Sequence, residues 1–285
     1  MYFPKHWAKA SVTGPNREGD TTNVEAWGWS DASTDDARQR ATVRAQAALA
    51  RIPGPKRKRD EYYQDGNRPL RETILESSTQ GAIKSVITRN SLGCEVLNTD
   101  CLGFADIDYD SPRVSIFAGL FGGRKKAEEH RAVWETQYLE KLRSWQAVNP
   151  SWCFRVYRTA GGLRLLATSK LLPAGSRETD LWLEGVGTDP LYRKLCQNQK
   201  SFRARLTPKP WRCGYKQPTI RFPYETDEAT KKIAKWIEAY GKKCEGFAVC
   251  QFLETMGSSM PLPELKAAIA FHDTRTGSAT GLPLA

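Results

Sequence analysis

The sequence predicts an α+β fold, and three observations carry that prediction. Strand-like and helical segments alternate without a strict βαβ rhythm, which disfavours a doubly wound parallel sheet. Lys84 to Tyr109 holds three neighbouring strand candidates separated by Asn and Gly turns, the pattern of an antiparallel meander. With 285 residues, 40% of them hydrophobic, the chain can bury a full core as one large domain or two small ones.

Taken in order, Val24 to Ser30 reads as an aromatic-rich strand, and Ser30 to Ser33 offers cap residues for an Ala- and Arg-rich helix running to about Arg51. Pro53-Gly54-Pro55 stops that helix, and the basic run Lys56-Arg57-Lys58-Arg59 follows, either a solvated loop or a phosphate contact. Leu70 to Ala82 is a further segment, and Lys84 to Thr88, Gly93 to Leu97 and Cys101 to Tyr109 are the meander strands. Arg124 to Val148 is a long charged helix with Val133, Tyr138, Leu139, Leu142 and Trp145 on one face. Cys153 to Arg158 and Leu163 to Thr168 are strands joined through Thr159-Ala160-Gly161-Gly162. Asp189 to Gln199 reads as helix, Phe202 to Leu206 as strand, and Pro208 to Pro223 as a loop. Thr226 to Tyr240 is an amphipathic helix, Phe247 to Phe252 is ambiguous, Leu262 to His272 is helical, and the tail from Arg275 is expected to be loose.

Lys and Arg number 43 against 32 Asp and Glu, so the formal charge of +11 attracts polyanions, nucleic acid first among them. No apolar run approaches the length of a membrane span, and the first residues lack a signal peptide's hydrophobic segment, so the expected location is the cytoplasm with no membrane partner. The seven cysteines are scattered without a C-x-x-C pair, which predicts reduced, packed thiols. Cys244, Cys250 and His272 offer only a weak alternative metal set.

Three segments carry chemistry. In Phe104 to Asp110, strand alternation sends Asp106, Asp108 and Asp110 to one face and Ala105, Ile107 and Tyr109 to the other. Carboxylates so placed repel unless a cation or basic side chains neutralise them, and Mg²⁺ or Mn²⁺ suits such oxygens. The alternative is an exposed strand end paired with Arg or Lys, but the apolar approach through Cys101, Leu102 and Phe104 suggests a central strand. In Phe154 to Leu166, Gly161 and Gly162 permit close backbone approach, and Arg158, Thr159 and Arg164 could help cradle a phosphate. In Lys200 to Arg212, Arg203 and Arg205 share a strand face and lead into Lys209, Trp211 and Arg212, a mixture suited to gripping phosphates while stacking bases. Asp189 is either a third metal ligand or the cap of its helix, with Asp180 and Glu184 nearby as alternatives.

In order and spacing these segments resemble the motifs of the archaeo-eukaryotic primase superfamily: a D-x-D strand, a Ser/Thr-Gly hairpin usually ending in His, and an hD motif followed by a basic Phe-Arg strand. The matching residues are Asp106 and Asp108; Thr159 to Arg164; and Asp189 with Tyr192, Lys200, Phe202 and Arg203. The resemblance spans roughly Lys84 to Arg212 and implies a primase-like core of antiparallel sheet with packed helices, plus N-terminal and C-terminal accessory elements. The implied organisation is a strand-helix accessory region and basic linker over 1–60, the core over 61–223 and a helical region over 224–285. It further implies acids that bind two divalent metals for nucleotidyl transfer, with nucleoside triphosphate and single-stranded or primed DNA or RNA as partners. The histidine position, whose side chain contacts nucleotide phosphates in that family, is held here by Arg164, which keeps a phosphate-binding charge but cannot exchange protons near neutral pH. Two functions follow: a metal-dependent nucleotidyltransferase of DNA replication or repair, or a non-catalytic nucleic-acid-binding accessory protein on a degenerate primase-like fold.

Overall fold

The structure is a computed structural model that describes residues 1–52, 69–109, 123–257 and 260–285, with the side chains of 123–126 left aside. It is α+β, with antiparallel sheets and helices packed on them. The chain divides into two compact units, one formed by residues 2–71 and one by 72–285 together with Met1.

The first unit is a hairpin of β1 (His6–Pro15) and β2 (Thr21–Ser30) carrying α1 (Thr34–Leu49) on one side. Ser33 caps α1 by accepting from the Asp36 amide at 3.1 Å, and Asp35 and Asp36 oppose the positive end of the helix dipole. Ala37, Ala41, Ala45 and Leu49 form its buried stripe. Gly28 permits that packing, because a Cβ there would sit 2.1 Å from the Ala37 carbonyl oxygen. The sequence reading expects only the second strand. In β1 the inward positions are Ala8, Ala10, Val12 and Gly14, too small to mark a hydrophobic alternation.

The second unit holds two four-stranded sheets. One has the order β3-β4-β5-β9, from β3 (Thr73–Gln80), β4 (Ile83–Arg89), β5 (Glu95–Thr99) and β9 (Phe202–Arg205). The other has the order β10-β7-β8-β6, from β10 (Cys250–Met256), β7 (Phe154–Thr159), β8 (Gly162–Ala167) and β6 (Phe104–Asp108). The C-terminal region, expected to be helical, therefore also supplies a strand to the core. Among the described strands β6 ends its sheet and is not the central strand expected, but its outer edge is not bare: the Asp189 amide donates to the Asp106 carbonyl at 3.1 Å.

Register divides the second sheet into two unlike faces. Ile107, Leu163 and Arg158 align across one face; Asp106, Arg164 and Tyr157 align across the other. The first face carries α2 (Gly123–Val148), whose Glu135 and Arg143 bond to Arg158 and Glu254. On the second face lies α6 (Pro263–Thr276), its His272 ring 5.3 Å from Phe104 and 5.0 Å from Tyr157. Phe154, Val156, Leu163 and Leu165 are buried in the sheet itself, each stabilising the fold by about 1.5–3 kcal/mol.

Three further helices complete the unit. In α3 (Arg177–Gly185), absent from the sequence reading, Ser176 caps the N-terminus and Trp182 stacks on Trp152 at 5.6 Å. Both α4 (Pro190–Gln199) and α5 (Asp227–Cys244) begin on capping side chains, Asp189 and Thr226. The tail is pinned, not loose: Ala285 N donates to Ala248 O at 3.0 Å, Ala248 N donates to Pro283 O at 3.0 Å, and Phe252 N reaches Ser278 O at 2.9 Å. These bonds give buried backbone groups their partners and leave Ala285 only 5% exposed.

Candidate active site

The end of β6 gathers the residues that the sequence singles out as acids. Asp106 and Asp108 point to one face, as alternation requires, while Ala105 and Ile107 are buried on the other. Asp189 joins them from a distant part of the chain. As the N-cap of α4 it accepts from Tyr192 N through Oδ2 at 2.8 Å, and its own amide is tied to Asp106 O. Capping and proximity to the acids are thus both true of Asp189. The neighbouring alternatives are excluded from the site: Asp180 and Glu184 are bound by Arg193, Asp180 Oδ2 at 2.8 Å and Glu184 Oε2 at 3.0 Å. Asp110 and the run Lys56 to Arg59 lie outside the described residues.

Asp108 is exposed at the strand's open end, yet crowded. Burial by neighbouring elements, then the carboxylates of Asp189 and Asp106, push its pKa above the usual aspartate value, against the pull of Lys209 and Arg205. Opposite it stand Arg205 at the end of β9, and Lys209 and Arg212 in the loop that follows, where Pro210–Cys213 forms a 3₁₀ turn. Burial and the guanidinium groups of Arg205 and Arg212 lower the Lys209 pKa; burial, Arg205 and Arg131 lower that of Arg212. Like charges are therefore collected on each side of the site.

Arg131 has no counterpart in the sequence reading. It reaches from α2 to the β7–β8 hairpin, donating to the carbonyls of Thr159 and of Ala160, the latter at 3.2 Å. Nothing in its local sequence announces this, since only the docking of α2 brings it there. Trp211 is 53% exposed, with the Lys209 ammonium over its ring, 5.6 Å from the centroid.

Several expected phosphate ligands are placed otherwise. Arg164 is only 1% exposed; its Nε donates to Asp106 Oδ1 at 3.0 Å and its Nη1 to the Arg205 carbonyl at 3.1 Å, so it joins the two sheets instead of facing solvent. Burial opposes its charge, but Asp106 foremost, with Cys250 and Tyr192 beside it, more than offsets this, and its pKa lies above the ordinary arginine value. Arg158 lies on the opposite sheet face in a two-point pair with Glu135, both bonds 2.6 Å. Arg203 is held by Glu72 at 2.7 and 3.0 Å. Lys200 is the left-handed C-cap of α4, a helix of ten residues and hence about 15 Å from the Asp189 end.

The glycine hairpin is a packing device before it is anything else. Gly162 has φ +150°, and a Cβ on it would meet the Ile107 carbonyl oxygen at 2.0 Å, so glycine allows β8 to close on β6. Thr159 Oγ1 accepts from Gly161 N at 3.2 Å and donates to Gly162 O at 3.2 Å, which spends its hydroxyl inside the turn. Gly161 nevertheless borders the basic shell, because a Cβ there would lie 3.4 Å from the Arg212 guanidinium.

Among the described residues no three His, Cys, Asp or Glu side chains converge as a self-sufficient metal cage. The donor set still fits Mg²⁺ or Mn²⁺, which commonly take one or two carboxylates and complete their shell with water and substrate phosphate. Cys244, Cys250 and His272 do not come together: Cys244 lies beside the free thiol of Cys213 and the Tyr240 hydroxyl, whereas Cys250 and His272 border Arg164. Among the described residues no helix is long and apolar enough to cross a membrane. The chain matches no family model, no curated protein and no solved structure.

Proposed function

We propose that the chain is a metal-dependent nucleotidyltransferase of the primase-polymerase kind, acting on a nucleoside triphosphate and the end of a nucleic-acid strand. The observation that carries this reading is the collection of like charges on two sides of one opening. Asp106, Asp108 and Asp189 stand together, and Arg131, Arg205, Lys209 and Arg212 stand together beside them. A ligand with one charge sign would relieve only half of this repulsion. A divalent cation carried by a polyphosphate relieves both, the cation at the acids and the phosphates at the bases.

Asp106 and Asp108 would hold the cation, with Asp189 beside them. A cation held there supplies charge neutralisation on the transferring phosphoryl group and activation of the attacking hydroxyl. Arg205, Lys209 and Arg212 donate to the phosphate oxygens and orient the tail in line with the attacking group. Arg131 fixes the hairpin that forms the floor under Arg212. Trp211 offers its face to a base, which secures the strand without reading its sequence.

The test is primer extension with Mn²⁺, alongside nucleotide binding by calorimetry, in the wild type and in Asp106→Asn/Asp108→Asn. The expected result is extension by the wild type, its loss in the double variant, and retained single-strand binding in both. A second reading, a binder without chemistry, is favoured by one feature: Arg164 occupies one oxygen of Asp106. Nucleotide binding without extension in the wild type would select that reading; binding of neither nucleotide nor strand would reject both.

A further inference from the structure

We infer that Arg164 is a built-in counter-cation for Asp106, so that the carboxylate site takes one divalent ion instead of a pair. This rests on the function proposed above and concerns what stands at the position where the resembled family has histidine. Arg164 is shut away from solvent, so a nucleotide phosphate cannot reach it without the sheets parting. Its guanidinium instead meets Asp106 Oδ1 at 3.0 Å and the Arg205 carbonyl at 3.1 Å, and lies 6.0 Å from the Phe104 ring centroid. Among the described residues Asp106 is the carboxylate with which it forms an ion pair. An arginine remains protonated at any working pH, so this positive charge is permanent.

Charge and ligand number then point the same way. Asp106, Asp108 and Asp189 bring three negative charges, of which Arg164 neutralises one from within the fold while Arg205 and Lys209 also draw on Asp108, so the site holds too little uncompensated negative charge for two divalent ions. Two ions about 3.5–4 Å apart need carboxylate oxygens that bridge or flank both. Here Asp106 Oδ1 is taken by Arg164 and Asp189 Oδ2 by the Tyr192 amide. The oxygens left suit one ion completed by water and phosphate. Arg164 is in these terms a positioning residue, fixing the orientation and charge of Asp106 without touching substrate.

The experiment counts Mn²⁺ bound to the full chain by the loss of the free-ion paramagnetic signal, first alone and then with a non-hydrolysable nucleoside triphosphate whose own uptake is subtracted. One Mn²⁺ per wild-type chain is expected, and one for Arg164→Lys, which keeps the charge. In Arg164→Gln the count should rise to two, with a lowered metal-free Tm that Mn²⁺ restores. Two Mn²⁺ per wild-type chain would overturn the inference while leaving nucleotidyl transfer standing. A folded Arg164→Gln that still binds one would overturn it as well, and if that variant does not fold, the wild-type and Arg164→Lys counts decide. No Mn²⁺ uptake by the wild type, with or without nucleotide, would overturn the proposed function together with this inference.

Discussion

The face of the β10-β7-β8-β6 sheet that carries α2 and the open end of β6 treat charge in different ways. On the face toward α2, Arg158 meets Glu135 through two bonds of 2.6 Å, and Arg143 meets Glu254 at 2.6 Å. Each of these four charges has an opposite partner. On the other face Arg155 and Arg164 are paired with Asp273 and Asp106, but at the end of β6 carboxylates neighbour carboxylates, and the bases at and after the end of β9 neighbour bases. Paired charges are what folding alone selects, because an isolated ion pair satisfies itself and asks for nothing further. Gathered like charges cost stability, and in the function proposed above that cost is offset by the cation and phosphates that the site binds.

The widest separation between these two regions is expected from single carboxamide variants. Asp108→Asn should lower Mn²⁺-dependent extension by about 10²–10³-fold, the scale for removing one electrostatic contributor to a transition state. It should also raise the metal-free Tm, since a repelled charge is gone. Glu135→Gln on the other face should do the reverse, lowering Tm and leaving extension intact. The cost there is about 1 kcal/mol, reduced from that of a fully buried pair because Arg158 is 37% exposed. Equal Tm changes of the same sign in both variants would erase the distinction.

A smaller effect is expected with pH. Asp108 has a pKa raised above its ordinary 3.8, so ionising it costs the folded state more than the unfolded one. That penalty is absent below the ordinary value, is complete above the raised one, and is relieved as pH falls through the interval between them. The Tm advantage of Asp108→Asn over the wild type in metal-free buffer should therefore be largest at neutral pH and shrink as pH approaches 3.8. An advantage independent of pH would mean that the substitution acts through packing.

How much of this was legible beforehand follows from where each signal resides. The strand bearing Asp106 and Asp108, the Thr159–Gly162 hairpin and the long helix before it depend on local alternation, turn residues and helical period, which a single chain displays. The strand β10 escaped because its register shifts between Phe252 and Glu254, a bulge that breaks the alternation on which strand reading depends. Arg158 and Arg164 look alike in sequence, six residues apart around a glycine turn, yet register sends one to Glu135 and the other to Asp106. Arg131 entered the site only through the docking of α2, a tertiary event with no local trace. The meeting of Asp189 with Asp106 was proposed from motif order, whereas its physical basis, a backbone bond between a helix cap and a strand edge, lies outside anything spacing can display.

The smallest and sharpest effect compares two arginines of one short strand. Arg203 and Arg205 share a face of β9, and the sequence gives no reason to treat them differently. Glu72 binds Arg203 at two points and also accepts from Thr88 at 2.6 Å, so the Arg203 charge is already spent inside the fold. Arg205 instead stands among the bases that crowd Lys209 and Arg212. A phosphate backbone can exchange its counterions only for charges that remain uncommitted, each neutralised phosphate of a single strand changing the logarithmic salt slope by about 0.7. Arg205→Gln and Arg212→Gln should each reduce the slope of single-strand binding by about that amount. Arg203→Gln should leave the slope unchanged and lower Tm, because Glu72 would be left buried without its partner. Trp211→Ala should weaken binding by about 1–3 kcal/mol, again without altering the slope, since a stacked ring releases no counterion. Fluorescence titrations across a range of salt concentrations measure all four. A slope that falls for Arg203→Gln as it does for Arg205→Gln would show that pairing in the free protein does not mark a charge as structural.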